Sequence, residues 1–308
     1  MLVFIENLLY YTIKLSVPLL FCTIGGVFVQ RAGTMNFALE AAINTSCFAS
    51  IVFTVITGST IWGIVGAFLS CLIINAIFGT FVIRFKANPV LVGLAINMLM
   101  LAIPPYLLQA FFESRGLLIA THYINVNHPV HIGFLDKIPI LGTIFNNQTP
   151  LTWVAFLLIA ILTVVFYKTK FGVYIQVTGD SKQSAEAVGI STSKVVWVAL
   201  IISACCCALS GLNLTFEQVG SYSLNMSAAR GLICLAAINC GRQRPIKSCL
   251  YALIFGFVRA LQLMLSAYVS PNITLVLEII PYLTIIIVFL FTEAPAARRT
   301  TMRFFREE

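Results

Sequence analysis

GDSKQSAEAVGI (residues 179–190) is one of the few long polar runs in a chain that is 59% hydrophobic. It lies between two apolar stretches, residues 151–167 and 194–216. Each is long enough, or nearly so, to cross a hydrocarbon core of about 30 Å, which takes about 20 helical residues. The run is therefore a loop at a membrane surface. Asp180 or Ser181 is placed to N-cap a short helix, a carboxylate there suits the positive end of the helix dipole, and Gly189 supplies a left-handed C-terminal stop. Ala185, Val188 and Ile190 give that helix an apolar edge. The pattern by itself allows an interfacial helix lying on lipid headgroups or a docking helix for a soluble partner.

Working outward, the composition sets the class. Only 10% of the 308 residues are charged, 24 are Phe, and the mean hydropathy is +0.97; soluble domains carry about 25% charged residues. Apolar segments of helical length recur and alternating-strand signatures do not, so the fold class is all-α: a polytopic transmembrane helical bundle in a single domain spanning residues 1–308. The net charge of +8 belongs to loops at a membrane surface and does not call for nucleic acid.

Nine membrane segments are expected, at residues 6–28, 35–58, 61–83, 89–112, 151–167, 194–216, 229–240, 246–268 and 273–291. The seventh is short for a full span, as a half-helix lining a pathway would be. Lys and Arg then set the orientation. A cytoplasmic C-terminus gathers Arg31, Arg84, Lys86, Lys168, Lys170, Lys182, Lys194, Arg242, Arg244, Lys247, Arg298, Arg299, Arg303 and Arg306 on one side, 14 of the 19 basic residues. Only Arg115 and Lys137 fall in the opposite loops, so the N-terminus is expected outside. Residues 113–150 form an extracytoplasmic loop, and residues 168–193 a cytoplasmic segment that contains the polar run. The opening apolar stretch carries Lys14 and no A-x-A site, so it reads as a span and not a cleavable signal.

The nine cysteines (Cys22, Cys47, Cys71, Cys205, Cys206, Cys207, Cys234, Cys240, Cys249) all fall in or beside apolar segments, with no disulfide framework or CxxC pattern; they read as small packing residues. His122, His128 and His131 share the outer loop at spacings that match no standard site, so no metal is expected.

Within the membrane the informative pattern is Asn36, Glu40 and Asn44, which recur every fourth residue and so share one face of a helix. Buried charge is costly in lipid unless it faces the bundle interior or a water-filled path. Glu40 is thus a functional candidate, with a helix-packing hydrogen bond as its alternative role. Arg259 and Glu278, in the eighth and ninth segments, are expected to pair across the two helices as a structural link.

Several stretches resemble permease subunits of bacterial ABC importers of the ribose, branched-chain amino acid and nucleoside group. FYKTKFGVYIQVTGD (residues 166–180) with the following A-x-x-x-G-I is similar to that family's cytoplasmic coupling segment; Ser184-Ala185 or Glu186-Ala187 stands where the family has Ala-Ala. GGVFVQRAGTMNFALEAA (25–42) resembles its opening motif, and Asn36-x-x-x-Glu40 its nucleoside branch. Ala38 and Ala41 stand where glycine is common. NPVLVGLAINML (88–99) resembles a family helix with Asn97 in the polar position. SAARGLICLAAINCGRQRP (227–245) and PYLTIIIVFL (281–290) resemble two later segments. Together these cover almost the whole chain.

The resemblance implies a permease that pairs with a second permease subunit, related more than identical, and with an ATP-binding subunit that contacts Asp180, Ser184, Ala185, Glu186, Ala187 and Gly189. An extracytoplasmic substrate-binding protein would deliver the solute. The chain has no GxxxxGK[ST] loop of its own and no catalytic constellation at usable spacing, so it is expected neither to be an enzyme nor to hold a cofactor. The substrate is expected to be a nucleoside passing Asn36, Glu40, Asn44, Asn97 and Phe216: amides and a carboxylate satisfy ribose hydroxyls and base edges, and Phe stacks on a flat ring. Riboflavin and simple sugars are the alternatives, and an ion-coupled carrier using Glu40 is the rival of another class.

Overall fold

The computed structural model describes residues 2–114, 116–124, 148–267, 269, 277 and 279–288. Ten helices are defined among them. These are α1 (Leu2–Arg31), α2 (Leu39–Thr57), α3 (Thr60–Gly79), α4 (Pro89–Phe112), α5 (Pro150–Lys168), α6 (Lys170–Asp180), α7 (Lys182–Ala187), α8 (Thr192–Leu212), α9 (Arg230–Cys240) and α10 (Pro245–Ser266). A π-helical turn, Thr80–Arg84, extends α3, and a second, Asn213–Val219, extends α8. With those extensions, seven helices among the described residues are long and apolar enough to span a membrane.

The chain punctuates these helices with ordinary local chemistry. Asn88 caps α4 by accepting from the Val90 amide at 2.9 Å, and Pro89 at the first helical position lacks the amide that would go unpaired there. Gly58 ends α2 with a left-handed φ of 68°.

Burial sorts the spans into two layers. The most apolar windows of α1, α2 and α8 are 78%, 72% and 67% buried, whereas those of α4 and α5 are 28% and 17% buried. The first three therefore form the centre, and α4 and α5 turn apolar faces outward, as lipid contact requires. Helix α1 packs on α10, α8 and α9, while α2 packs on α3, α8 and α4. Small residues allow the close crossings: a Cβ at Gly25 would meet Cys206 and Ser203 of α8, and one at Gly256 of α10 would collide with Ser16 of α1.

Helix α9 is the short element expected for residues 229–240. Its 11 residues rise about 16 Å, roughly half of a ~30 Å core. The chain reaches it from β2 (Ser221–Ser223), which pairs antiparallel with β1 (Leu117–Ile119), Leu118 opposite Tyr222. The ladder joins the end of α4 to the end of α8. At the other end of the bundle, α1, the α3–α4 turn, α7 and the start of α8 come together.

One sequence expectation changes here. Asn36 is expected on a helix spanning residues 35–58, but α2 begins at Leu39 and Asn36 lies in the chain before it. Of the ninth segment, 273–291, residues 277 and 279–288 are described, and 277 and 280–288 are helical; the rest lie outside the described residues. His128, His131, Lys137 and Arg115 also lie outside the described residues.

Candidate functional site

The polar run that opened the sequence reading folds as the end of α6, the single-turn helix α7 and the turn into α8. Ser181, the second of the two candidate caps, is the residue that caps α7: its Oγ accepts from the Ser184 amide at 3.2 Å. Gly189 has φ +80° with open space around its Cα, so it supplies the left-handed stop by backbone geometry alone. Ala185 is fully buried, whereas Lys182, Ser184, Glu186, Ala187, Val188 and Gly189 are exposed. Glu186 is steadied by the Thr192 hydroxyl, which donates to Oε1 at 2.9 Å. The result is one buried anchor beneath a presented ridge.

Asp180 forms no cap. At the end of α6, its Oδ1 lies 2.9 Å from Arg31 Nη2, an ion pair between the polar run and the last residue of α1. The backbones also touch: Gly33 lies against Gly179, and a side chain at Gly179 would run into the Arg31 carbonyl oxygen. Beside this junction is a cavity of about 550 Å³ lined by Thr34, Lys86, Lys182, Glu186 and Ser193, among others. It is bounded by the α1–α2 turn, the α3–α4 turn, α7 and the first turn of α8.

Toward the centre of the bundle, Glu40 sits in the first turn of α2 and is 8% exposed. Its Oε1 accepts from the Ser227 hydroxyl at 2.5 Å and from the Ala229 amide at 2.9 Å; Oε2 accepts from the Gly231 amide at 2.6 Å. A carboxylate of α2 thus caps the N-terminus of half-helix α9, where unpaired amides and the positive end of the dipole both favour an anion. Arg230, 8% exposed, donates from Nη1 to the Met226 and Ser227 carbonyls.

The amides around Glu40 are equally committed. Asn36 Nδ2 donates to Asn75 Oδ1 at 3.0 Å, and Asn36 Oδ1 accepts from the Ala38 amide at 3.1 Å. Asn97 Oδ1 accepts from the Ala41 amide at 2.9 Å, and its Nδ2 donates to the Phe37 carbonyl at 2.9 Å. Asn44 Nδ2 donates to the Met100 carbonyl at 2.9 Å, and its Oδ1 faces the Tyr222 hydroxyl at 3.4 Å. Tyr222 meets Phe48 edge to face, centroids 5.4 Å apart. Phe216, half-buried, packs its ring on Gly63. The structure therefore brings Asn36, Glu40, Asn44 and Asn97 together around the start of α2, α3, α4 and α9. Their polar atoms bond to the protein itself in this conformation.

One buried acid escaped the sequence reading. Glu217, in the π-helical extension of α8 and 9% exposed, accepts at Oε1 from the Leu151 amide at 2.9 Å and at Oε2 from Asn213 Nδ2 at 2.6 Å. It caps α5 as Glu40 caps α9. The signal for it was Asn213-x-x-x-Glu217-Gln218, a polar cluster closing an apolar span. Of the Arg259–Glu278 pair, Glu278 lies outside the described residues. Arg259 lies on α10.

The fold is thus a polytopic helical bundle with a capped half-helix inside it and a presented polar turn on one side. The chain matches, over residues 8–292, the family described as the permease component of the branched-chain amino acid transport system, and it belongs to that family. It is 30% identical over 270 residues to the nucleoside ABC transporter permease protein NupC of Lactococcus lactis subsp. cremoris, covering 84% of this chain and 81% of that one. The guanosine ABC transporter permease protein NupQ of Bacillus subtilis is 27% identical over 261 residues, covering 82% and 80%. TsgC13 of Haloferax volcanii, whose name assigns it to glucose, is 25% identical over 275 residues, covering 87% and 82%. The chain is thus an ABC transporter permease, multi-pass in the cytoplasmic membrane.

Proposed function

We propose that this chain is the membrane permease of a nucleoside importer driven by a separate ATP-binding subunit. The single observation that carries the reading is the whole-length match to NupC, with NupQ beside it. The N-terminus is outside and the C-terminus cytoplasmic, so residues 168–193 face the ATPase. Residues 113–150, with the β1–β2 ladder, face an extracytoplasmic binding protein. The partner permease is a related chain, giving a heterodimer. ATP-driven closure of the ATPases moves the coupling segments and biases the bundle between outward and inward states.

The ridge of Ser184, Glu186, Ala187 and Gly189 supports the docking role, because these residues are exposed while Ala185 beneath them is buried. The solute passes the cluster of Asn36, Glu40, Asn44 and Asn97 with Phe216, whose hydrogen bonds exchange partners as the helices shift. TsgC13 keeps a sugar as the second reading for the substrate. An ion-coupled carrier working alone fits less well, because the carboxylate it needs at Glu40 already accepts three hydrogen bonds.

Co-purification tests the docking role. Removing residues 182–189 abolishes association with the ATP-binding subunit; a chain without them that still carries the ATPase through purification refutes the assignment.

A further inference from the structure

The coupling segment and half-helix α9 are both held against one stretch of chain, residues 31–40. At its first residue, the Arg31 guanidinium pairs with Asp180 at 2.9 Å, and the Arg31 carbonyl oxygen lies so near Gly179 that any side chain there would collide with it. At its last residue, a Cβ on Gly231 of α9 would collide with the backbone nitrogen and Cα of Glu40, and the Glu40 carboxylate holds the Ser227 hydroxyl and the Ala229 and Gly231 amides. The residues between are braced. The Thr34 amide donates to the Val29 carbonyl at 3.3 Å, Asn36 bridges the Ala38 amide and Asn75, and Asn97 holds the Phe37 carbonyl.

We propose that residues 31–40 are a strut that carries displacement of the coupling segment to half-helix α9, with Arg31 and Glu40 as the positioning residues at its two ends. The inference rests on reading the ridge within residues 182–189 as the ATPase contact. Its physical basis is the kind of contact at each end. Backbone meets backbone across a glycine, so no side chain can change rotamer to absorb a shift, and close-packed interfaces move between discrete arrangements instead of deforming gradually. Contiguity alone does not establish coupling, so the strut must be tested by loosening it while both ends stay folded.

The test uses the assembled importer, permeases with ATP-binding subunit, in proteoliposomes. Three quantities are read on each preparation: retained ATPase subunit, guanosine uptake per ATP hydrolysed, and the nucleotide-dependent change in maleimide labelling of Leu232→Cys. Leu232 is an exposed position on α9, and its labelling reports motion without reference to the solute. Gly179→Ala is expected to keep the ATPase subunit and its hydrolysis, while uptake per ATP and the labelling change both fall about tenfold, within the range of measured coupling energies. Arg31→Asp is expected to lower both by no more than about fivefold, since an exposed ion pair contributes little. Arg31→Asp with Asp180→Arg restores them, even if the Gly179 variant fails to fold.

The strut is overturned if the labelling change survives in both Gly179→Ala and Arg31→Asp, or if the reversed pair restores nothing. It is also overturned if folded Gly179→Ala loses the ATPase subunit, which would make Gly179 a docking residue. Retention of the ATPase after deletion of residues 182–189 overturns the docking reading, and the strut with it. Absence of guanosine uptake in the parent, with the labelling change intact, overturns only the choice of substrate.

Discussion

Replacing Glu40 by alanine separates a cap from a solute ligand. In the structure its two oxygens accept from the Ala229 amide, the Gly231 amide and the Ser227 hydroxyl, at the start of α9 and on its approach. The hydroxyl can rotate to another acceptor. The two amides cannot, and each buried donor left unpaired costs about 1–3 kcal/mol. Loss of the negative charge from the helix N-terminus adds up to about 2 kcal/mol in a partly buried setting. The sum, about 2–8 kcal/mol, is large beside a total stability of about 5–15 kcal/mol. At about 2–4 °C per kcal/mol, the unfolding midpoint of the detergent-solubilised chain should fall by about 4 °C or more.

Glu40→Gln keeps one acceptor oxygen but turns an amide nitrogen toward a donor, so it should fall between the parent and the alanine variant. Scanning fluorimetry on purified protein, with no solute present, reads both. If Glu40→Ala melts within about 1 °C of the parent, the carboxylate does not hold α9 and the capping argument fails. If that same variant has also lost uptake, Glu40 is a solute ligand after all.

Other outcomes follow from the same geometry. Glu217→Ala should lower the midpoint by an amount corresponding to about 2–4 kcal/mol, because the Leu151 amide and the Asn213 amide group lose their acceptor; an unchanged midpoint refutes the cap on α5. Gly256→Val should prevent α10 from seating on α1, where even a Cβ collides with Ser16, and size-exclusion chromatography should show aggregate in place of a monodisperse peak. Ser181→Ala removes the cap of α7, a loss of about 1 kcal/mol that should weaken ATPase binding about fivefold without altering the melting of the bundle. Binding at parental affinity counts against a preformed α7.

How much of this was legible in the chain varies with the physics of each element. The spans were readable because apolar length is a strong signal, and the half-helix because 229–240 is too short to cross. The turn at 179–190 was readable to the residue at Gly189, whose left-handed φ few other residues tolerate. The choice between Asp180 and Ser181 was not, since it depends on Arg31 of α1 drawing Asp180 away, a contact 149 residues distant in sequence. Periodicity linked Asn36, Glu40 and Asn44 correctly in space but wrongly as one helix face, because Asn36 reaches the start of α2 from a non-helical stretch, residues 34–38. What the polar cluster does was hidden for the same reason: the partners of Glu40 lie on α9 and its approach, 187–191 residues away. Glu217 was missed because a π-helical turn rotates it out of the register a regular helix would give.

The central claim, a nucleoside importer powered by a separate ATPase, is tested most directly by uptake of radiolabelled guanosine, riboflavin and ribose. The assay uses cells expressing this chain with its ATP-binding subunit, intact or carrying a Walker-lysine substitution. The account predicts guanosine uptake that the lysine substitution abolishes. Uptake that survives the substitution and collapses with an ionophore would contradict it.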